Sequence, residues 1–200
     1  MGTKQIATAI VGVLVLLIIY KAKQPVTLGD GVMAADVPYQ KPINDPISFE
    51  HANFEVTPLA DFNIKAKVIL KEDYRYDKGA EISPTDLALG WGRMSDESVL
   101  QQIEFWQTGR WYRYRYDKAP IPQQEIQTHS ANMHLIPSSS YIAKQIKKIK
   151  AGQIVELQGK LVKVRNKESN WRWKSSLTRE DTGDGACELI YVEQLHLVEG

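Results

Sequence analysis

The chain has 200 residues and a formal net charge of +1, from 25 Lys and Arg against 24 Asp and Glu. This length fits one domain of ordinary size with an additional segment. The charge balance argues against a dedicated DNA-binding protein, because a phosphate-binding surface normally produces an excess of Lys and Arg. Cys187 is the only cysteine, which excludes an intrachain disulfide.

The first predicted element is an uncharged apolar run from Ile6 to Tyr20, with Lys4 before it and Lys21 and Lys23 after it. A helix rises about 1.5 Å per residue, so this run and its immediate neighbours are just long enough to cross roughly 30 Å of hydrocarbon. A tyrosine beside lysines is typical of a membrane interface. Residues 1–23 are therefore predicted to be an N-terminal transmembrane anchor that contacts the lipid bilayer through residues 6–20.

A cleaved signal peptide is the alternative for the same run. Small residues that would suit cleavage occur at Val32–Ala35, well beyond the apolar run and farther than the polar tail of a signal peptide usually reaches. This position favours an uncleaved anchor. Lysines on the two sides of the run are nearly balanced, so the positive-inside rule does not fix the orientation.

Residues 24–58 are predicted to be a Pro-rich spacer. The segment contains a Gly-Asp-Gly at Gly29–Gly31 and several prolines, which disfavour helix and favour extended backbone. Phe49, Phe54 and Val56 indicate that its second half docks on the domain that follows.

A β-rich globular domain is predicted over residues 59–200. Its first strand is Phe62–Tyr76, where apolar residues and lysines alternate. Ser83–Gly92 begins with a proline turn and favours a short helical turn or a bend. Ile103–Asp117 predicts a β-hairpin with its turn at Thr108-Gly109.

The second half of the domain contains one clear helix, predicted over Ser138–Gly152 from its serine cap, its spaced isoleucines and its lysine face. Strands follow at Gln153–Val164, with a bulge at Gly159, and at Cys187–Val198. The predicted fold is mainly β with one or two helices, a small partly open barrel of the OB or SH3-like kind behind the transmembrane helix. A two-layer α+β sheet is the alternative.

The pentapeptide Tyr-Arg-Tyr-Asp-Lys occurs at Tyr74–Lys78 and again at Tyr114–Lys118. The residues around the two copies differ, which disfavours a tandem repeat. Two strand ends with aromatic cross-strand pairs and Arg–Asp partners are the ordinary interpretation. The functional interpretation is a platform of tyrosine faces and guanidinium groups for a nucleic-acid strand, a glycan or another anionic polymer. Aromatic and arginine residues surround the second copy, and the candidate ligand-binding residues are Arg110, Trp111, Arg113, Tyr114, Arg115 and Tyr116.

Cys187 is a candidate nucleophile if His129 or His134 lies within hydrogen-bond reach to deprotonate it. Glu188 or Asp181 would then orient the base. A single cysteine at the start of an apolar strand is more often a small buried residue, so these catalytic candidates belong to the alternative hypothesis.

Asp181–Gly183 matches the short aspartic peptidase signature, but charged residues precede it where that signature has apolar ones, which favours a solvated loop. Glu180, Asp181 and Asp184 do not have the spacing of a twelve-residue calcium loop. We therefore predict no metal and no cofactor.

Residues 132–164, from Asn-Met-His-Leu-Ile-Pro to Val164, and residues 171–193, from Trp-Arg-Trp-Lys to Glu193, resemble a group of small, single-pass, membrane-anchored bacterial proteins with no known activity. The resemblance implies a bacterial source and brings no catalytic or binding residues. It leads us to expect the bacterial inner membrane, with the globular domain on the periplasmic side.

Two hypotheses follow for the function. The first is a membrane-tethered, non-catalytic binding or scaffold domain for a protein or polymer partner, a nucleic acid or glycan being the polymer classes considered. The alternative is a membrane-anchored hydrolase that uses a Cys/His pair. The first is favoured, because no nucleophile, base and oxyanion donor occur at a spacing with a known mechanical reason.

Overall fold

The computed structural model describes residues 24–180 and 187–198. In this part of the chain the strands are β1 (Tyr39–Pro42), β2 (Phe49–His51), β3 (Phe54–Asp73), β4 (Thr85–Gly90), β5 (Glu104–Thr108), β6 (Trp111–Arg115), β7 (Ser130–Pro137), β8 (Ile154–Asn166), β9 (Arg172–Lys174) and β10 (Glu188–Val198). The helices are α1 (Glu97–Leu100), α2 (Gln123–Thr128), α3 (Ser140–Lys148) and a 3-10 turn at Gly92–Ser95. The described chain is therefore mainly β, as the sequence predicts.

Five strands pair in a closed ring, in the order β3, β4, β7, β10, β8 and back to β3. Neighbours in the ring are antiparallel except β7 and β10, which run parallel. The 20-residue strand β3 closes the ring because it pairs with β8 over Phe54–Lys67 and with β4 over Lys67–Asp73. β1, β2 and β9 extend the ring at β3 and β8, and β5 and β6 form a separate hairpin.

The main hydrophobic core lies on one face of the ring and draws side chains from all five of its strands. The alternation of buried and partly exposed residues along the first part of β3 shows the two-residue period that places them there. Ile142, Ile146 and Ile149 of α3 join this core. A smaller cluster contains other residues of β3, β7, β8 and β10, and Trp171 and Trp173 pack against it.

Several predicted elements are confirmed. The predicted helix is α3, where Oγ of Ser139 accepts a hydrogen bond from the Ile142 amide at 3.2 Å. The hairpin and the two last long strands also lie where the sequence places them, except that the hairpin turn is Gly109-Arg110 and not the expected Thr108-Gly109. The irregularity expected at Gly159 occurs on the partner strand, where β10 shifts register after Val192. A Cβ at Gly159 would lie 2.0 Å from the Tyr191 carbonyl oxygen, so glycine lets the two backbones approach.

The helical turn or bend expected over Ser83–Gly92 is wrong for most of that segment, which forms the strand β4. Every residue of β4 is buried. A strand covered on both faces reads as a continuous apolar run and gives no alternation to recognise. The turn itself begins only at Gly92.

The segment expected as a spacer is largely part of the fold. It contains β1 and β2, and β3 begins at Phe54, ahead of the predicted domain start at residue 59. Residues 24–38, here named the N-terminal strap, dock on the turn before α1. Gly31 N donates to Oδ1 of Asp96, and Met33 N donates to Oγ of Ser95, each at 3.0 Å. These hydrogen bonds satisfy backbone amides of the strap, which explains why a segment without regular structure lies on the domain.

The predicted anchor, residues 1–23, lies outside the described residues. Within the described chain, the helices are all too short or too polar to cross a bilayer. The first Tyr-Arg-Tyr-Asp-Lys copy forms the loop after β3 and not a strand, whereas the second begins at the end of β6. The two copies therefore occupy different backbone environments.

Candidate functional site

The tip of the β5–β6 hairpin is a two-residue turn made by Gly109 and Arg110. Thr108 pairs with Trp111 across it, and φ is +57° for Gly109 and +68° for Arg110. Two successive positive φ values are what a type I′ turn needs. A non-glycine residue in this conformation costs roughly 1–2 kcal/mol, so contacts of the Arg110 side chain have to offset the strain.

The guanidinium group of Arg110 reaches back to the sheet and binds two carboxylates. Nη1 lies 3.0 Å from Oδ1 of Asp86, and Nη2 lies 2.8 Å from Oδ1 of Asp77. The group also stacks over Tyr74, 4.1 Å from its ring centroid, and lies 5.2 Å from the centroid of Trp173. A planar guanidinium can pair with carboxylates and stack on rings at once. Arg110 thus ties the hairpin tip to the loop after β3, to β4 and to β9.

Asp86 and His134 form the floor beneath this arginine. Asp86 has no exposed surface and His134 is 2% exposed. They face each other in the β4–β7 pair, with Nδ1 of His134 2.9 Å from Oδ1 of Asp86. The ring nitrogen is close but not aligned for a hydrogen bond. Trp173 covers the histidine, with 4.4 Å between ring centroids.

Two amides complete the buried polar network. Nδ2 of Asn132 donates to the carbonyl oxygen of Arg110 at 2.9 Å, and Nε2 of Gln107 donates to Oδ1 of Asn132 at 2.7 Å. Asn132 is 2% exposed. Buried polar groups that bond to one another fix the position of the element that carries them. The network therefore holds the hairpin in one place over β4 and β7.

A pocket of about 410 Å³ opens beside Arg110 and is here named the Trp173 pocket. Its lining residues come from the loop after β3, the hairpin tip and β9 with the residue before it: Tyr74, Asp77, Lys78, Gly79, Gly109, Arg110, Trp171, Arg172 and Trp173. Burial, with the Asp86 charge as a second cause, raises the pKa of Tyr74 to about 12. The Tyr74 hydroxyl is therefore neutral at physiological pH, and its oxygen accepts a hydrogen bond from Arg110 N at 3.2 Å.

Two cations of the Trp173 pocket have no anionic partner among the residues that the structure describes. Within the described part of the chain, neither Lys78 nor Arg172 has a carboxylate oxygen within 4.0 Å. Both are exposed. Since Arg110 is already paired, these two side chains supply the pocket's available positive charge.

Positive charge continues from Arg172 along the β8–β9 pair. Lys163 lies opposite Lys174, and Arg165 lies opposite Arg172. These four residues are here named the basic ladder. Like charges directly opposite each other on neighbouring strands are destabilising. Only Arg165 of the four has a described carboxylate partner, Glu55, at 2.6 Å.

A second cavity, of about 530 Å³, lies on the other side of the hairpin and is here named the Cys187 cavity. Tyr112 lines it, and the hydroxyl groups of Tyr112 and Ser130 lie 2.6 Å apart. Burial raises the pKa of Tyr112 to about 12. Glu188 also lines this cavity, is 1% exposed and forms an ion pair with Arg179.

Cys187 and the two candidate histidines do not line a common cavity. Neither His129 nor His134 lines the cavity that contains Cys187. His134 lies under Trp173, and Nδ1 of His129 lies 3.0 Å from Oγ1 of the neighbouring Thr128. Of the candidate orienting groups, Glu188 pairs with Arg179, and Asp181 lies outside the described residues.

The ligand-binding candidates are also distributed over separate surfaces. Arg110 lies in the Trp173 pocket, whereas Trp111 and Tyr114 line the Cys187 cavity. Arg115 and Tyr116 line a third depression, where Arg115 pairs with Glu104 at 2.7 Å. Arg113 is exposed. The hairpin residues therefore line three separate depressions and do not form one continuous binding surface.

Sequence reasoning missed most of the Trp173 pocket. Trp171 and Trp173 alternate with cations, and an alternating strand with aromatic residues on one face was a usable signal. An isolated Asp86 inside an apolar run was another, because a buried carboxylate needs a charged partner. Nothing local indicated that the partner would be Arg110.

Comparisons of the whole chain with protein-family models, with curated proteins and with solved structures give no significant match.

Proposed function

We propose that this protein is a non-catalytic binding domain, tethered to a membrane by its N-terminal segment, and that the Trp173 pocket binds an anionic polymer. The observation that carries the proposal is the combination of two tryptophans with Lys78 and Arg172, which have no described carboxylate partner. Aromatic faces and cations together suit a ligand that has negative charge and rings, bases or sugars, whose faces stack on aromatic side chains.

We further propose that the five-stranded ring is an OB-like barrel. OB folds bind oligonucleotides and oligosaccharides on the face of their second and third strands and on the loops after the first and fourth. Counted along the chain, the second and third strands of the ring are β4 and β7, which supply Asp86 and His134 beneath the pocket. The loop after the first strand, β3, supplies Tyr74 and Lys78, and the segment after the fourth strand, β8, supplies Trp173. The position of the pocket supports this assignment.

The basic ladder supports a polymer rather than a small ligand. It continues from Arg172 in the pocket along the outside of β8 and β9. Like charges that face each other on neighbouring strands are unfavourable, and a bound polyanion would pair with them. Ion contacts of this kind also make affinity fall as the salt concentration rises.

The alternative hydrolase receives less support from the arrangement of the described residues. Its mechanism needs a base within about 3 Å of the thiol. Cys187 lines a cavity that neither candidate histidine lines. The binding hypothesis therefore accounts for more of the observed geometry.

The proposal is tested by titrating the full chain, in an uncharged detergent, with three polyanions while tryptophan fluorescence is recorded. The probes are an oligodeoxythymidylate, a sulfated oligosaccharide and poly-glutamate. We expect saturable binding of at least one ring-bearing probe, weakened by salt, and weaker binding of poly-glutamate, which has no ring to stack.

Arg172→Glu is the test variant and Arg113→Glu the matched control, since both arginines are exposed strand residues. Reversing a charge that contacts the ligand should weaken binding about tenfold or more, equivalent to at least about 1.4 kcal/mol. The control should bind like the wild type. Equal affinity of both variants, or absence of binding to all three probes, would refute the proposed site.

The bacterial inner-membrane location with a periplasmic domain is part of the same proposal. A reporter enzyme that is active only in the periplasm, fused to the C-terminus, should be active in cells. Activity of a reporter that works only in the cytoplasm would reverse the orientation.

A further inference from the structure

The N-terminal strap begins on the domain beside the end of α3. Val26 N donates to the carbonyl oxygen of Ala151 at 2.8 Å. A Cβ at Gly152 would lie 1.7 Å from the Val26 carbonyl oxygen, so the two backbones touch there. The chain therefore reaches the domain at the C-terminal end of α3.

The exposed face of α3 and the residue after its C-cap is basic. Three isoleucines at positions 142, 146 and 149 are buried, and the opposite face presents Tyr141, Lys144, Lys147, Lys148 and Lys150. These four lysines are here named the α3 lysines. Tyr141 is 65% exposed. The helix has no acidic residue in its first turn.

The α3 lysines form no ion pair with the carboxylates of the described residues. None of them has a described carboxylate within 4.0 Å. The carbonyl oxygens at the end of the helix are bonded by another lysine, since Nζ of Lys71 donates to the carbonyl oxygens of Ile146 and Lys147 at 3.0 Å each. The α3 lysines are therefore available to an external partner.

The distance to the predicted anchor identifies the partner. Tyr20 ends the apolar run and Val26 contacts the domain, and a segment of this length spans at most about 20 Å when fully extended. The anchor would thus keep this end of the domain close to the bilayer surface. Lysines near a membrane are attracted to anionic lipids over about one Debye length, roughly 8 Å in physiological salt.

We propose that the α3 lysines, with Tyr141 beside them, lie against the anionic phospholipid headgroups of the bilayer that holds the anchor. This inference rests on the proposed tether. β8 begins beside Gly152 and carries the basic ladder near its far end, about 30 Å along the strand at roughly 3.3 Å per residue.

The test is lysine acetylation of the full chain in nanodiscs, read by mass spectrometry. Nanodiscs of phosphatidylcholine alone are compared with nanodiscs that also contain phosphatidylglycerol. We expect the α3 lysines to react several-fold more slowly in the anionic discs, and high salt to restore their rates. Lys163 and Lys174 are the matched controls, because they lie at the far end of β8, and their rates should be the same in both discs.

Two results would overturn the inference in different ways. If the chain enters the discs but the α3 lysines react equally fast in both lipids, the tether stands and the contact with lipid is wrong. If the chain does not enter the discs, the tether itself fails and the inference fails with it. Lys147→Glu together with Lys148→Glu should abolish the difference between the two lipids at Lys144, whereas Lys118→Glu, at an exposed lysine outside the pocket and the basic ladder, should leave it unchanged.

Discussion

Oδ1 of Asp86 lies 2.9 Å from Nδ1 of His134 and 3.0 Å from Nη1 of Arg110, so one buried oxygen of Asp86 contacts both a neighbouring strand and the hairpin tip. We expect Asp86→Ala to lower the free energy of unfolding by about 1.5–3 kcal/mol, because it removes the buried one of the two carboxylates that bind Arg110 and leaves only Asp77. Denaturant unfolding followed by tryptophan fluorescence measures the loss.

Asp61→Ala is the control for that prediction. Asp61 pairs with Lys160 at 2.9 Å, but its side chain is 47% exposed. An exposed ion pair contributes at most about 1 kcal/mol. Equal losses for the two variants would show that Asp86 does not organise the site.

Gly152→Ala should loosen the N-terminal strap. The new Cβ would meet the Val26 backbone, and φ at Gly152 is +86°. Gly109→Ala carries a similar penalty for a positive φ, of roughly 1 kcal/mol, but nothing lies within 4 Å of its Cβ. Amide hydrogen exchange should therefore accelerate at Val26 and along the strap in the first variant only. Unchanged exchange at Val26 would mean that the strap is not held at this point.

Asp96 should link strap docking to acidity. Hydrogen bonds from Ser98 and from the Gly31 amide hold the pKa of the Asp96 carboxyl below its usual value of 3.8. A lowered folded-state pKa gives stability that is present above pH 3.8 and is lost as the pH falls through the folded value. Exchange of the Gly31 amide should rise in that acid range, and Asp96→Asn should remove the pH dependence. A carboxyl titration of Asp96 at its ordinary pKa would contradict this.

Tyr112 should make the domain sensitive to alkali. Burial raises its pKa from 10.0 to about 12, so its stabilising effect is complete below pH 10.0 and is lost as the pH rises through about 12. The difference in unfolding free energy between wild type and Tyr112→Phe should shrink over that range. Tyr76→Phe is the control, since Tyr76 is 97% exposed and should show no such trend.

Local patterns were enough to predict part of this fold. A serine cap and isoleucines at helical spacing predict the helix α3, and a glycine turn between aromatic runs predicts the hairpin. These signals lie within a few residues of each other. The ring and its parallel pair have no such local signal, because β7 and β10 pair although they lie far apart in the sequence.

The candidate site was the least predictable part for the same reason. Arg110 could be singled out from its neighbours, but its partners Asp77 and Asp86 and its stacking ring Trp173 come from three other segments. β4 was missed because burial on both faces removes the alternation that marks a strand. Those hidden residues are the ones that form the floor of the pocket.

The strand order of the ring also determines when the domain can complete its fold during synthesis. β10 lies between β7 and β8 and comes last in sequence among the five strands of the ring. Until it leaves the ribosome, β7 and β8 each present an unpaired edge, and such edges pair readily with other chains. The domain therefore completes its fold only after β10 has left the ribosome. Chains that stop before Glu188 should aggregate rather than persist as smaller folded pieces.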